Sequence, residues 1–278
     1  MGQVERFLEE KYGAAGRLSG GYTNLAYKIE TNPPLVAKIA SLSNEDLLNE
    51  ANALQVLHGK VPTPKYIDDH SLESSFILVT SYERGENGQS ILDTGDMAKA
   101  EAVFKNMGLV LANLIHSHAY TDGSLKLRKA KVLEPASLDF VPQPLVEKSR
   151  TFFPLLSTDM NEWVLSHGDY GSHNILFDSD GKITVIDWEW TEWFHPLVDI
   201  AWTLWNTKLH YPHMADRLNQ AFLKAYQSVR PLAYTEPLIK AYVLYKIWHL
   251  LNRLHHADAA VQNNWVSRLD WTLRTNIL

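Results

Sequence analysis

The stretch LSHGDYGSHNILFD, residues 165–178, sets His167, Asp169 and Asn174 between two apolar runs, and Asp187 follows in VIDWEW. Two carboxylates and an amide are hard oxygen donors. ILFD, SDG and KITVIDWEW read as strand, turn and strand, so a hairpin brings Asp187 beside the loop that carries Asp169 and Asn174. Such a set suits Mg²⁺, which takes few protein oxygens and completes its shell with water and phosphate. A carboxylate left outside that shell can accept the proton of a hydroxyl nucleophile. A base, metal ligands and a charge clamp are the parts that phosphoryl transfer needs. Asp and Asn also cap turns. That accounts for either residue alone, but not readily for the whole set.

His-Gly-Asp, then four residues and Asn, then Ile-Asp-Trp-Glu resembles the aminoglycoside phosphotransferase and choline kinase family. The resemblance covers most of the chain. It implies an α+β, protein-kinase-like two-lobed fold, with an antiparallel-sheet N-lobe over residues 1–82 and a mainly helical C-lobe over 83–278. It implies ATP and Mg²⁺ as cofactors, Asp169 as catalytic base, and Asn174 and Asp187 as metal ligands. His167 would hold the catalytic loop. Asp199, in HPLVDIAW, would brace that loop from a helix, and His116 would be structural. About a dozen residues separate Asp187 from Asp199, where a protein kinase carries a long activation segment. The short connection implies a small-molecule hydroxyl acceptor.

By the same resemblance Lys38, in LVAKIA, is the lysine that grips the nucleotide phosphates. Strand alternation puts Lys38 on the face of Val36, pointing inward, and an inward lysine needs an anionic partner. Glu50, in LLNEANAL, is favoured because it sits among apolar residues, with Glu45 on the same helix as its competitor. The loop SGGYTN, with Ser19, Gly20, Thr23 and Asn24, would lie over the phosphates, although it lacks three spaced glycines. Thr80 would stand at the back of the adenine pocket, and backbone groups of Ser81 and Tyr82 would meet the base.

The elements that must position these groups fall in two halves. A short amphipathic helix opens the chain, with Val4, Phe7 and Leu8 at helical spacing. Strand-like alternation at Leu25, Tyr27 and Ile29, the turn signal TNPP and the apolar LVAKIA predict a hairpin. SNEDLLNEANALQVLHGK predicts a helix capped by Asn44 or Ser43, and SSFILVTSYERG a strand ending in a polar hinge. Beyond it, helices are expected over 96–118, 196–209, 212–229, 234–257 and 263–276. Residues 121–162, rich in proline, have no clear periodicity.

Composition bounds the partners. The 278 residues carry a net charge of -6 and no cysteine, which removes disulfides, thiolate zinc sites and thiol nucleophiles. The acidic balance and the lack of a dense basic run argue against nucleic acid; KLRKAKV reads as a solvated segment. MGQVERFLEEKYG carries early acids and no apolar h-region, and no apolar run is long enough to span a bilayer. A cytoplasmic protein without membrane or nucleic-acid partners is expected, as a monomer or homodimer.

Acceptor choice is the least legible part. Glu189 and Glu192 would suit a polyamine, while Trp193 and neighbouring tryptophans could cage a quaternary ammonium. Trp202 and Trp205 read as core. The expected activity is ATP-dependent phosphorylation of a hydroxyl on an antibiotic, amino alcohol or related metabolite. The alternative is a catalytically silent kinase-like nucleotide-binding protein. The presence of Lys38, Asp169, Asn174 and Asp187 together favours the enzyme.

Overall fold

The computed structural model describes residues 2–18, 25–121 and 127–278. The SGGYTN loop, with Ser19, Gly20, Thr23 and Asn24, lies outside the described residues.

The first part runs α1 (Gln3–Tyr12), β1 (Ala15–Arg17), β2 (Leu25–Ile29), β3 (Leu35–Ser41), α2 (Glu45–Leu57), β4 (Tyr66–Leu72) and β5 (Ser75–Ser81). The strands form one antiparallel sheet in the order β1-β2-β3-β5-β4. Alternation along β3 decides what each face does. Ala37 and Ile39 turn into a small cluster with Leu8 of α1, Tyr27, Ile77 and Val79. Lys38 therefore points to the opposite face, towards α2 and the rest of the molecule. The α2 helix begins where Asn44 accepts the Asp46 and Leu47 N–H groups at 2.9 and 3.3 Å, satisfying two of its orphan donors.

The second part contains β6 (Glu86–Asn87), α3 (Gly88–Asp93), α4 (Met97–Val110), β7 (Arg128–Lys129), α5 (Gln143–Arg150), β8 (Val164–Ser166), β9 (Ile175–Phe177), β10 (Ile183–Val185), β11 (Glu192–Phe194), α6 (Leu197–His210), α7 (Pro212–Gln227), α8 (Glu236–Arg253) and α9 (Ala259–Arg274). Two small sheets, β10-β9-β6 and β7-β11-β8, sit among the helices. The larger core lies here and includes the fully buried Trp188, Trp193, Trp205 and Trp248. Helices α4 and α7 cross closely because Gly108 has no side chain; a Cβ there would lie 2.4 Å from the Phe222 carbonyl oxygen.

Three departures from the sequence reading bear on the site. The helix expected over 96–118 ends as α-helix at Val110 and continues as a π-helical segment, Leu111–Ile115, with the His116 N–H donating to the Leu111 carbonyl at 2.8 Å. The strand expected through VIDWEW stops at Val185. Asp187 adopts a left-handed backbone (φ 67, ψ 63), which a strand cannot continue, and Trp188–Trp190 wind into a 3₁₀ turn. The unperiodic 121–162 region supplies β7, which pairs parallel to β11, and the helix α5. No helix among the described residues is long and apolar enough to cross a membrane.

Candidate active site

The loop between β8 and β9 is held from below by one carboxylate. Asp199, on the first turn of α6, accepts the Gly168 N–H on Oδ1 and the His167 N–H on Oδ2, each at 2.8 Å. The same Oδ2 lies 3.1 Å from His116 Nε2, whose Nδ1 meets the Tyr226 hydroxyl at 2.9 Å. Asp199 and His116 are fully buried, so this network takes the place of water around them. Burial lowers the pKa of both His116 and His167. The His167 ring is fixed at both nitrogens: Nδ1 accepts the Asp169 N–H at 3.2 Å, and Nε2 donates to the Ile186 carbonyl at 3.0 Å. That pattern defines a neutral tautomer. Gly168 is required by geometry. Its φ is +79, and a Cβ there would meet the Trp190 carbonyl oxygen at 2.2 Å.

Asp169 faces the cleft from this loop. Its Oδ1 accepts the indole N–H of Trp202 at 2.6 Å, and its Oδ2 meets Asn174 Nδ2 at 3.0 Å and His173 Nε2 at 3.2 Å. Burial works to raise the carboxyl pKa. The His173 hydrogen bond, with the charges of His173, Lys246 and His167, outweighs it and holds the group well below the usual carboxylate range. Asp169 is therefore ionised at any ordinary pH, with its position set by three donors.

Lys38 reaches across from β3. Its Nζ lies 2.8 Å from both carboxylate oxygens of Glu50 on α2 and 2.7 Å from Asp187 Oδ1. Burial disfavours the ammonium, but Asp187 and Glu50 reverse this and keep it charged. Glu50 is 2 % exposed, whereas Glu45 lies on the exposed side of α2. Asn49, one residue before Glu50, donates to the Glu189 and Thr191 carbonyls at 3.2 and 2.8 Å and so anchors α2 to the turn after Asp187.

Asn174 and Asp187 meet through the backbone, where the Ile186 N–H donates to the Asn174 carbonyl at 3.0 Å. Asn174 Nδ2 is engaged by the carbonyl and carboxylate of Asp169. No hydrogen bond is made by Asn174 Oδ1 or Asp187 Oδ2 among the described residues. One amide oxygen and one carboxylate oxygen, both open and hard, fit Mg²⁺ with water and phosphate as its remaining ligands.

Several other expected residues are engaged within the fold. The Ser81 and Tyr82 N–H groups donate to the Lys65 and Pro34 carbonyls at 2.9 and 3.1 Å, so neither is open to a base. Thr80 is 6 % exposed and pairs with Val36 on one side and Tyr66 on the other. Trp193 is 1 % exposed and packs edge-on against Tyr120, a core residue rather than an acceptor contact. Glu189 is buried; burial and the neighbouring Asp187 charge push its carboxyl up to about 7. Glu192 faces a cavity of about 430 Å³, which Trp190, Tyr245 and Lys246 also line.

Three residues beside Asp169 escaped the sequence reading. His173 stands next to Asn174 and four residues after Asp169, a spacing that could have revealed it. Trp202 looked like one more apolar residue on its helix, and only the fold aims its N–H at Asp169. Lys246, 4 % exposed on α8, lies 5.8 Å from the Trp202 ring centre and had no local signal at all.

An antiparallel sheet whose lysine is tied into a helical body, beside a carboxylate loop braced from below, is the architecture of a kinase-like small-molecule phosphotransferase. The chain belongs to the phosphotransferase enzyme family, whose model matches residues 15–232. No curated protein matches the sequence. Among solved structures, the chain is similar to a thermostable variant of the aminoglycoside phosphotransferase APH(4)-Ia in a ternary complex with ADP and hygromycin B, with 18% identity, 98% of both chains covered and a TM-score of 0.73. It is also similar to spectinomycin phosphotransferase APH(9)-Ia with ADP and spectinomycin (15% identity, 99% of this chain and 94% of that chain, TM-score 0.65). A third is APH(3'')-Id from Streptomyces rimosus with ADP and streptomycin (16% identity, 89% and 98%, TM-score 0.67). These likenesses establish the fold.

Proposed function

We propose that this chain transfers the γ-phosphate of ATP to a hydroxyl of a small molecule, with Mg²⁺ held by Asn174 and Asp187. The observation that carries the reading is the double contact of Lys38, at 2.8 Å from Glu50 and 2.7 Å from Asp187, beside the ionised carboxylate of Asp169. A buried cation bridging two anions is costly to assemble. It is well suited to hold nucleotide phosphates between the two parts of the molecule.

Asp169 is the proposed base. Its low affinity for a proton suits a loose phosphoryl-transfer transition state, in which the acceptor keeps its proton until late. The acceptor oxygen bonds to the γ-phosphorus, the bond from that phosphorus to the β,γ-bridging oxygen breaks, ADP leaves, and the hydroxyl proton passes to Asp169. Mg²⁺ bound at Asn174 and Asp187 would neutralise charge on the phosphates. Lys38 positions those phosphates, and Glu50 positions Lys38. His167 and Asp199 position the loop. The SGGYTN loop remains the proposed cover for the phosphates.

The test is Mg²⁺-dependent release of ADP from ATP across a panel of hydroxyl compounds, wild type against Asp169→Ala. Acceptor-dependent ADP release that disappears in the variant, with Mg-ATP still bound, is expected. A wild-type chain that binds no Mg-ATP would overturn the proposal.

A further inference from the structure

The cavity that Trp190, Tyr245 and Lys246 line has a charge of the wrong sign for a polyamine. Five cations and two carboxylates line it. Arg128 and Arg253 converge on one carboxylate, Asp46, which leaves a surplus cation between them. Lys129 and Lys131 stand exposed at the mouth. Glu192 accepts the Tyr245 hydroxyl at 3.0 Å. Glu45 is exposed at the edge.

Lys246 is the informative residue. It is 4 % exposed and lines the cavity. Among the described residues no carboxylate lies within 4 Å of its Nζ, and no hydrogen bond engages it. The ammonium sits instead 3.4 Å from the centre of the Trp190 ring, which the Arg253 guanidinium also meets at 4.5 Å. A cation–π contact offsets only part of what a buried ammonium loses on leaving water. The charges of Asp169 and Glu192 act on the ammonium from beyond 4 Å, and no anion among the described residues touches it directly. Trp202 stands between Lys246 and Asp169: Nζ is 5.8 Å from its ring centre, and its N–H is bonded to the Asp169 carboxylate. An anion on Lys246 thus lies about one indole away from the carboxylate that would receive the hydroxyl proton.

We propose that the acceptor is an anionic hydroxy compound, carrying a carboxylate or phosphate that Lys246 binds while its hydroxyl faces Asp169. A polycationic aminoglycoside or a quaternary ammonium alcohol would have to enter against Lys131 and Lys246. The inference deepens the phosphotransferase reading and rests on it for the role of the hydroxyl only; anion binding by Lys246 stands on the cavity itself.

The experiment uses the full chain. D-Glycerate, gluconate and glycerol 3-phosphate are compared with glycerol, choline and kanamycin, by calorimetric binding without nucleotide and by Mg-ATP-dependent ADP release. The expected result is binding and turnover of one or more anions, favoured over the neutral and cationic compounds by about tenfold or more in Kd and kcat/KM. Carboxylate against phosphate within the anions separates the two headgroups. Lys246→Met should raise the acceptor Kd and KM by about tenfold and leave the KM for ATP unchanged. Lys131→Glu, at the exposed mouth, carries no folding risk and should raise acceptor KM severalfold, more steeply at low salt. Kanamycin or choline preferred over every anion, or no anion bound, would overturn the inference. A chain that binds anions through Lys246 yet binds no Mg-ATP would overturn the phosphotransferase reading instead.

Discussion

Lys38 Nζ and Asp187 Oδ1 lie 2.7 Å apart, although 149 positions separate them in the chain. The contact joins a strand of the five-stranded sheet to the turn that follows the β9–β10 hairpin. It holds only because two local choices agree. Strand alternation turns Lys38 away from the α1 cluster, and the left-handed backbone at Asp187 turns its carboxylate back towards the sheet.

Glu50→Gln removes one of the two anions on Lys38 and keeps the shape of the side chain. The KM for ATP is expected to rise by about tenfold, with a smaller fall in kcat. Steady-state kinetics with ATP varied at saturating acceptor checks it. An unchanged KM would remove Glu50 from its positioning role.

Asp169→Asn keeps a group able to accept the Trp202 N–H but removes the base. A fall in kcat of about 10²–10⁴-fold is expected, with Mg-ATP affinity unchanged by calorimetry.

Trp202→Phe keeps an aromatic ring in place and deletes the N–H on Asp169 Oδ1. The lost charge-assisted bond is worth about 1.5–3 kcal/mol where it stays dry. Losing it raises the Asp169 pKa. The acidic limb of the kcat/KM profile should move to higher pH, which a merely structural tryptophan would not produce.

The pH dependence of acceptor binding follows from two groups in the cavity. Burial raises Glu192 to about 7 against the opposing Lys246 charge and the Tyr245 hydrogen bond. Burial lowers Lys246 to about 8; Asp169, Glu192 and Asp199 oppose that shift and Arg253 adds to it. Below both values Glu192 is neutral and Lys246 charged, so the cavity is most cationic. As pH rises, Glu192 gains a negative charge first and Lys246 then loses its positive one. The Kd of an anionic acceptor should therefore climb from about pH 6.5 to about pH 9. Calorimetry across that window reads it, and Lys246→Met should flatten the upper part of the rise.

Gly168→Ala places a methyl 2.2 Å from the Trp190 carbonyl oxygen at a φ of +79. Backbone must shift to accommodate it, at a cost of about 2 kcal/mol or more. Urea denaturation should show that loss. Activity should fall further than stability accounts for, because the two N–H groups on Asp199 set the direction of Asp169.

How much of this was legible in sequence depended on the range of the cause. The Asp169, Asn174 and Asp187 grouping was visible because one hairpin generates it. Glu50 could be preferred over Glu45 because its neighbours LLNEANAL are apolar, and burial follows local pattern. The Trp202 hydrogen bond was not visible, since helical periodicity says only that the residue turns inward. Lys246 lies on a helix that packs into the site from 77 residues beyond Asp169, so no spacing rule reaches it. Trp193 was misjudged for a related reason. Alternation on a three-residue strand does not say which face meets the ligand, and β8 and β11 pack that side into the core. Backbone groups of Ser81 and Tyr82 read as open to a base because a strand end looks open in sequence, whereas the Lys65 and Pro34 carbonyls already occupy their N–H groups.

The π-helical segment Leu111–Ile115 accommodates one residue more than an α-helix would use for the same turn. Removing a single residue from it would restore ordinary α-helical hydrogen bonding, while the residues on either side keep their directions. His116 would still face Asp199, because the wide turn absorbs the difference in residue count. The wide turn thus lets the length of this helix vary without disturbing the site. Relatives that differ here by an insertion or deletion should be aligned by the histidine rather than by the helix start.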